Sequence, residues 1–157
     1  MSHQGPSAEI TVRHIGAEKR PLVIIENFVA DPAALLLDAE IADFQERVRF
    51  FPGVQAPFNF GRMQQMLLPY VERMRDAFAI KGPLPVIECG FALVTTDPRA
   101  LSPLQRIPHI DTTNPYRLAI LTYISGAQFG GTAFYKHKST GFEYLDQSRI
   151  DRYNRAL

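Results

Sequence analysis

From Glu9 to Ile15, Ile10 and Val12, with His14 in phase, alternate against Thr11 and Arg13, which is the period-two signature of a half-buried strand. Residues 22–28 (LVIIENF) form a more continuous, β-branched run, as a strand covered on both faces would. Asp31-Pro32 then reads as a helix start, a capping carboxylate followed by proline at the first helical position. Leu37, Ile41, Phe44 and Val48 follow at steps of four, three and four, one apolar stripe on an amphipathic helix. Breaker residues in 51–57 predict a loop, ringed by Phe50, Phe51, Phe58 and Phe60, which are expected to seal the core more than to line a pocket. A second helical pattern covers residues 61–80 through Met63, Leu67, Tyr70, Met74 and Phe78, with a kink or a split expected at Pro69.

Beyond Gly82-Pro83 the pattern changes from helical to alternating. Residues 86–95, 106–111, 118–124 and 132–137 predict successive strands, residues 142–145 a weaker one, and Asp146 caps a last helix with an apolar edge of Ile150, Tyr153 and Leu157. Helices first and an antiparallel run afterwards predict an α+β fold in which the helices buttress one face of a sheet.

Composition narrows the classes of function. A length of 157 residues fits a single domain over residues 8–157, after a polar, disordered lead-in over residues 1–7. The formal net charge is +1, and the lysines and arginines are scattered, so no nucleic acid or anionic membrane partner is expected. With no leader-like run and no segment near the ~20 apolar residues of a membrane span, a soluble cytoplasmic protein is expected. Cys89 is the only cysteine, so no disulfide can form within the chain, and its apolar setting predicts a buried, inert thiol.

The candidate chemistry lies at Pro108-His109-Ile110-Asp111. In an extended segment His109 and Asp111 point to the same side, one imidazole and one carboxylate converging on one spot. That supplies two of the three ligands of a 2-His-1-carboxylate site, the arrangement of non-haem Fe(II) enzymes. The structural alternative is a histidine hydrogen-bonded to a neighbouring aspartate. His137, the only later histidine, lies between Lys136 and Lys138 and reads as a solvated strand end, since adjacent cations oppose recruiting another. His3 belongs to the lead-in and His14 to the first strand.

A wider pattern surrounds the pair: Gln105 on the approach, Tyr123-Ile124-Ser125 closing a strand-like run, and Gly130-Gly131-Thr132-Ala133-Phe134 after it. With these elements the chain resembles the prolyl-hydroxylase-like branch of the Fe(II)/2-oxoglutarate-dependent oxygenases. Residues 21–28 and the Asp31-Pro32 helix start also look like the N-terminal part of uncharacterised bacterial members. The motif-bearing likeness covers about thirty residues, and a looser one most of the chain.

The resemblance implies N-terminal helices packed on a double-stranded β-helix, a cupin-like jelly roll. It implies Fe(II) and 2-oxoglutarate as metal and cosubstrate, with metal ligands at His109 and Asp111. It places Tyr123 against the 2-oxoglutarate carboxylate, with Gln105 and Thr122 as polar groups lining the pocket. The implied activity is that of a dioxygenase acting on a small-molecule or peptide substrate. Three departures stand against this pattern. Arg117 precedes Tyr123 by six residues where the family has seven, and the family's third ligand and its 2-oxoglutarate-pairing basic residue would fall beyond Leu157. The jelly roll is therefore expected to be incomplete at its C-terminal end, with exposed sheet edges through which two copies could pair as a homodimer. A non-catalytic jelly-roll module with weak divalent-metal binding is the alternative.

Overall fold

The computed structural model describes residues 7–46 and 51–157. The expectations for residues 1–6, with His3, and for Val48 and Phe50 fall outside the described residues. In chain order the elements are β1 (Glu9–Ile15), β2 (Arg20–Glu26), α1 (Pro32–Glu40), β3 (Gly53–Pro57), α2 (Phe60–Leu67), α3 (Val71–Phe78), β4 (Gly90–Val94) and α4 (Ile150–Asn154). This is a small α+β arrangement of short helices and two two-stranded antiparallel sheets, β1–β2 and β3–β4. Contacts divide the chain into two compact units, one built on Asn27–Ile107 and the other on Ile10–Glu26 with Pro108–Leu157.

In the first unit the helix ends follow local chemistry. Asp31 caps α1 by accepting the Ala34 N–H at 3.0 Å, with Pro32 in the first turn. Asn59 caps α2 by accepting the Arg62 N–H at 2.8 Å. Pro69 lies in a 3₁₀ turn, Leu68–Tyr70, that divides the second helical stretch into α2 and α3, as its missing N–H requires. The end of α3 is a Schellman motif: Ile80 N–H bonds Arg75 C=O at 2.9 Å, Ala79 N–H bonds Asp76 C=O at 3.3 Å, and Ala79 takes a left-handed φ of 52°. Among the described residues the buried core comprises Leu35, Ala56, Leu67, Met74 and Ile80, all in this unit.

Strands β3 and β4 pair in register from Gly53 opposite Val94 to Pro57 opposite Gly90. A Cβ on Gly53 would stand 2.0 Å from the Leu93 carbonyl oxygen, so the strand approach requires glycine there. Phe91 on β4 meets Phe58 edge-on at 5.2 Å and Phe44 at 6.5 Å, and the Cys89 Sγ reaches the Phe58 carbonyl at 3.4 Å. Burial pushes that thiol's pKa up, which agrees with an unreactive cysteine.

The second unit contains the β1–β2 hairpin, whose turn presents Gly16 at φ 70° and Lys19 at φ 53°. The Glu143 carboxylate fits into this turn, accepting the Glu18 N–H at 2.9 Å, and a Cβ on Gly16 would stand 2.1 Å from Glu143 Oε2. Arg149 adds a second tie, with Nη1 at 2.7 and 2.9 Å from the two Glu18 carboxylate oxygens.

Several sequence expectations are corrected. The first helix stops at Glu40 instead of running on towards Val48. Its predicted stripe is not the buried face: Leu35 is buried while Ile41 is 85% exposed. Past the helix, Gln45 exchanges backbone hydrogen bonds with Gln55 at 3.0 and 2.9 Å, an extended pairing that a continuing helix would forbid. The predicted loop over 51–57 contains β3, because Pro57 sits at a strand end, where proline is tolerated. The predicted strand over 86–95 is shortened to β4, since the Gln64 side chain takes the Val86 N–H at 2.7 Å. Residues 104–106 form a 3₁₀ turn. Residues 107–111, 118–124, 132–137 and 142–145 form no ladder among the described residues; alternation favours an extended backbone, but a strand also needs a neighbouring backbone to pair with.

Candidate functional site

His109 and Asp111 follow the 3₁₀ turn at Leu104–Arg106, on an irregular segment at the start of Pro108–Leu157. Their side chains do converge as the spacing predicts: His109 Nε2 stands 3.7 Å from Asp111 Oδ1. The distance exceeds the ~2.7–3.2 Å of a hydrogen bond, so the histidine–aspartate hydrogen bond is not formed. Two donors that share a cation at about 2.1 Å each can stand up to about 4.2 Å apart, and the pair fits that span. Both side chains face solvent, 82% exposed for His109 and 65% for Asp111. Just beyond them the chain is held by Thr112 and Asn114, whose side-chain oxygens accept the Asn114 and Tyr116 N–H groups at 3.1 and 2.9 Å. Thr113 then ties this turn to Gln147 at 3.1 Å.

The remaining predicted residues stand as follows. The Tyr123 hydroxyl hydrogen-bonds Thr132 Oγ1, joining the run over 118–124 to the one that follows Gly130-Gly131, and its ring is 58% exposed. Thr122 is half-buried. Gln105 lies in the other unit and has a local structural duty. Its Oε1 accepts the Ser102 N–H at 2.9 Å while its own N–H reaches Ser102 Oγ at 3.4 Å, a reciprocal capping box on the Leu104–Arg106 turn.

His137 differs from its expected solvated state. It is half-buried, its Nδ1 is 2.8 Å from Thr140 Oγ1, and its ring packs edge-on against Tyr153 at 4.8 Å. Among the described residues no group of three or more His, Cys, Asp or Glu side chains is placed to hold a metal ion.

A second cluster was not anticipated. Guanidinium groups and rings alternate in a ladder. Arg20 lies 4.0 Å from the Tyr144 ring and Arg149 4.2 Å from the same ring; Arg149 is 4.7 Å and Arg152 5.3 Å from the Phe142 ring. The Glu18 carboxylate raises the pKa of Arg149 further above its ordinary value. Part of this was visible in the sequence, since Phe142 and Tyr144 share a face at period two and Arg149 and Arg152 follow at helical spacing. Arg20, more than a hundred residues away, carries no such signal.

No helix among the described residues is long and apolar enough to cross a membrane. No curated protein and no solved structure matches the chain. A family described as one of unknown function, DUF6445, matches residues 6–157, and the chain belongs to that family.

Proposed function

We propose that the chain is a divalent-metal-binding member of the Fe(II)/2-oxoglutarate-dependent oxygenase superfamily, on the jelly-roll plan of the prolyl-hydroxylase-like branch. The observation that carries this reading is the 3.7 Å approach of His109 Nε2 and Asp111 Oδ1 without a hydrogen bond between them. Neutral imidazole and carboxylate are the donor types that Fe(II) and Mn(II) accept in such sites. The order His-x-Asp, Tyr123, Gly130-Gly131 supports it from the sequence side. In this reading His109 and Asp111 hold the metal, while Tyr123 and Thr122 serve the cosubstrate; Gln105, which caps its own turn, takes no part. A metal held there would supply activation of O₂, one oxygen atom going to succinate as 2-oxoglutarate loses CO₂ and the other to a small-molecule or peptide substrate. The protein's own residues bind and orient the reacting groups.

The exposure of both side chains favours a second reading, a non-catalytic module that binds a divalent ion weakly, because water competes for a metal in an open site. Two measurements separate them. Calorimetric titration with Mn(II) is expected to show binding that His109→Ala or Asp111→Ala weakens at least about tenfold. Incubation with Fe(II), ascorbate and 2-oxoglutarate is expected to release succinate from wild type and not from either variant. Metal binding without succinate selects the module, and binding indifferent to both substitutions removes both readings.

A further inference from the structure

We infer that the arginine–aromatic ladder of Arg20, Tyr144, Arg149, Phe142 and Arg152 is a docking surface for an acidic peptide segment. Its charge is unbalanced in a specific way. Three guanidinium groups stack on two rings, yet Glu18 pairs with Arg149 alone. Among the described residues no carboxylate lies within ion-pair distance of Arg20 or Arg152, both exposed at the ends of the ladder.

The rings fix these guanidiniums in place. An arginine held against an aromatic face has lost much of its rotamer freedom already, so a carboxylate meets a pre-oriented fork of donors. Glu18 shows at the middle rung how a carboxylate seats here, 2.7 and 2.9 Å from Arg149 Nη1. A peptide with acidic side chains at alternate or successive positions can add carboxylates at the outer rungs. Single-stranded nucleic acid fits less well, because two guanidiniums already cover the Tyr144 ring and leave little face for a base to stack on. The surface is separate from the His109–Asp111 pair in chemistry, and its test is run with EDTA so that metal binding plays no part.

The experiment is fluorescence anisotropy of the full-length chain with a dye-labelled hepta-glutamate peptide, beside hepta-serine, a seven-nucleotide oligothymidylate and anionic phosphatidylserine vesicles. Saturable binding of hepta-glutamate alone is expected, weakened about tenfold by the double substitution Arg20→Ala and Arg152→Ala. The double substitution Arg20→Lys and Arg152→Lys, which keeps the charge but not the planar fork, is expected to recover only part of that loss. Raising the salt from about 50 to about 300 mM is expected to weaken wild-type binding, a readout that does not depend on any variant folding. Binding of hepta-glutamate that ignores salt or the alanine pair overturns the proposal. So does tighter binding of the oligonucleotide or the vesicles than of the peptide.

Discussion

Glu143 shows how a single side chain can organise a turn far from it in sequence. The Glu18 N–H donates to its carboxylate first and the Ala17 N–H next, and these bonds hold its pKa below the usual glutamate value. Asp146 is lowered in the same way, chiefly by the Ser148 hydroxyl at 2.6 Å. For a carboxylate with a depressed folded pKa, the stability contributed is fully present above its unfolded value, near pH 4.3 for glutamate. It is lost as the pH falls through the lower folded value. Glu143→Gln is therefore expected to reduce the thermal midpoint at pH 7, with the gap to wild type closing below about pH 4. Thermal scans at pH 7, 5 and 3 read this out, and an equal gap at all three would mean that the ionised carboxylate is not what the hairpin turn binds. Nothing in the local sequence marks Glu143, because its partners lie more than a hundred residues upstream.

At the scale of elements, what was legible depended on how local the determining chemistry is. The Asp31-Pro32 start, the extent of β1 and the break at Pro69 are written in adjacent residues, and each is found where the sequence places it. The end of α1, the strand hidden in 51–57 and the trimming of 86–95 depend on Gln55 and Gln64, partners that periodicity cannot name. Part of the candidate site was legible for the same reason: His109 and Asp111 stand two residues apart, so their approach is set by local backbone, whereas the arginine ladder is assembled from distant segments.

The end of α3 gives a test of such local chemistry. Ala79 holds a left-handed conformation that costs an L-residue with a Cβ about 1–2 kcal/mol. Ala79→Gly removes that cost but frees the unfolded chain, which offsets about 0.4–1 kcal/mol. The net expectation is a gain of about 0.5–1 kcal/mol. A rise in the urea midpoint at unchanged slope checks it, and a fall would show that the Schellman geometry at Ala79 and Ile80 is not the conformation in solution.

Across the whole molecule the means of stabilisation differ between the two units. The buried side chains among the described residues, Leu35, Ala56, Leu67, Met74 and Ile80, belong to the unit of Asn27–Ile107. The other unit relies on turn hydrogen bonds, the Glu18–Arg149 pair and stacked guanidiniums, and leaves Leu121, Tyr123, Phe134 and Tyr135 exposed. Opening free energy rises with buried apolar contact and with ladder pairing. Hydrogen exchange is therefore expected to be slowest at the paired amides of β3 and β4 and in α2 and α3, and fast through residues 118–124. Leu67→Ala removes a core side chain from a close-packed site and is expected to cost about 2–4 kcal/mol. That loss should lower protection in β3, α2 and α3 together, because Ala56, Leu67 and Met74 belong to one compact unit. Protection over 118–124 equal to that of β3 would require those residues to be paired, as the jelly-roll reading expects of them, and would make pairing between two copies the first arrangement to test by light scattering.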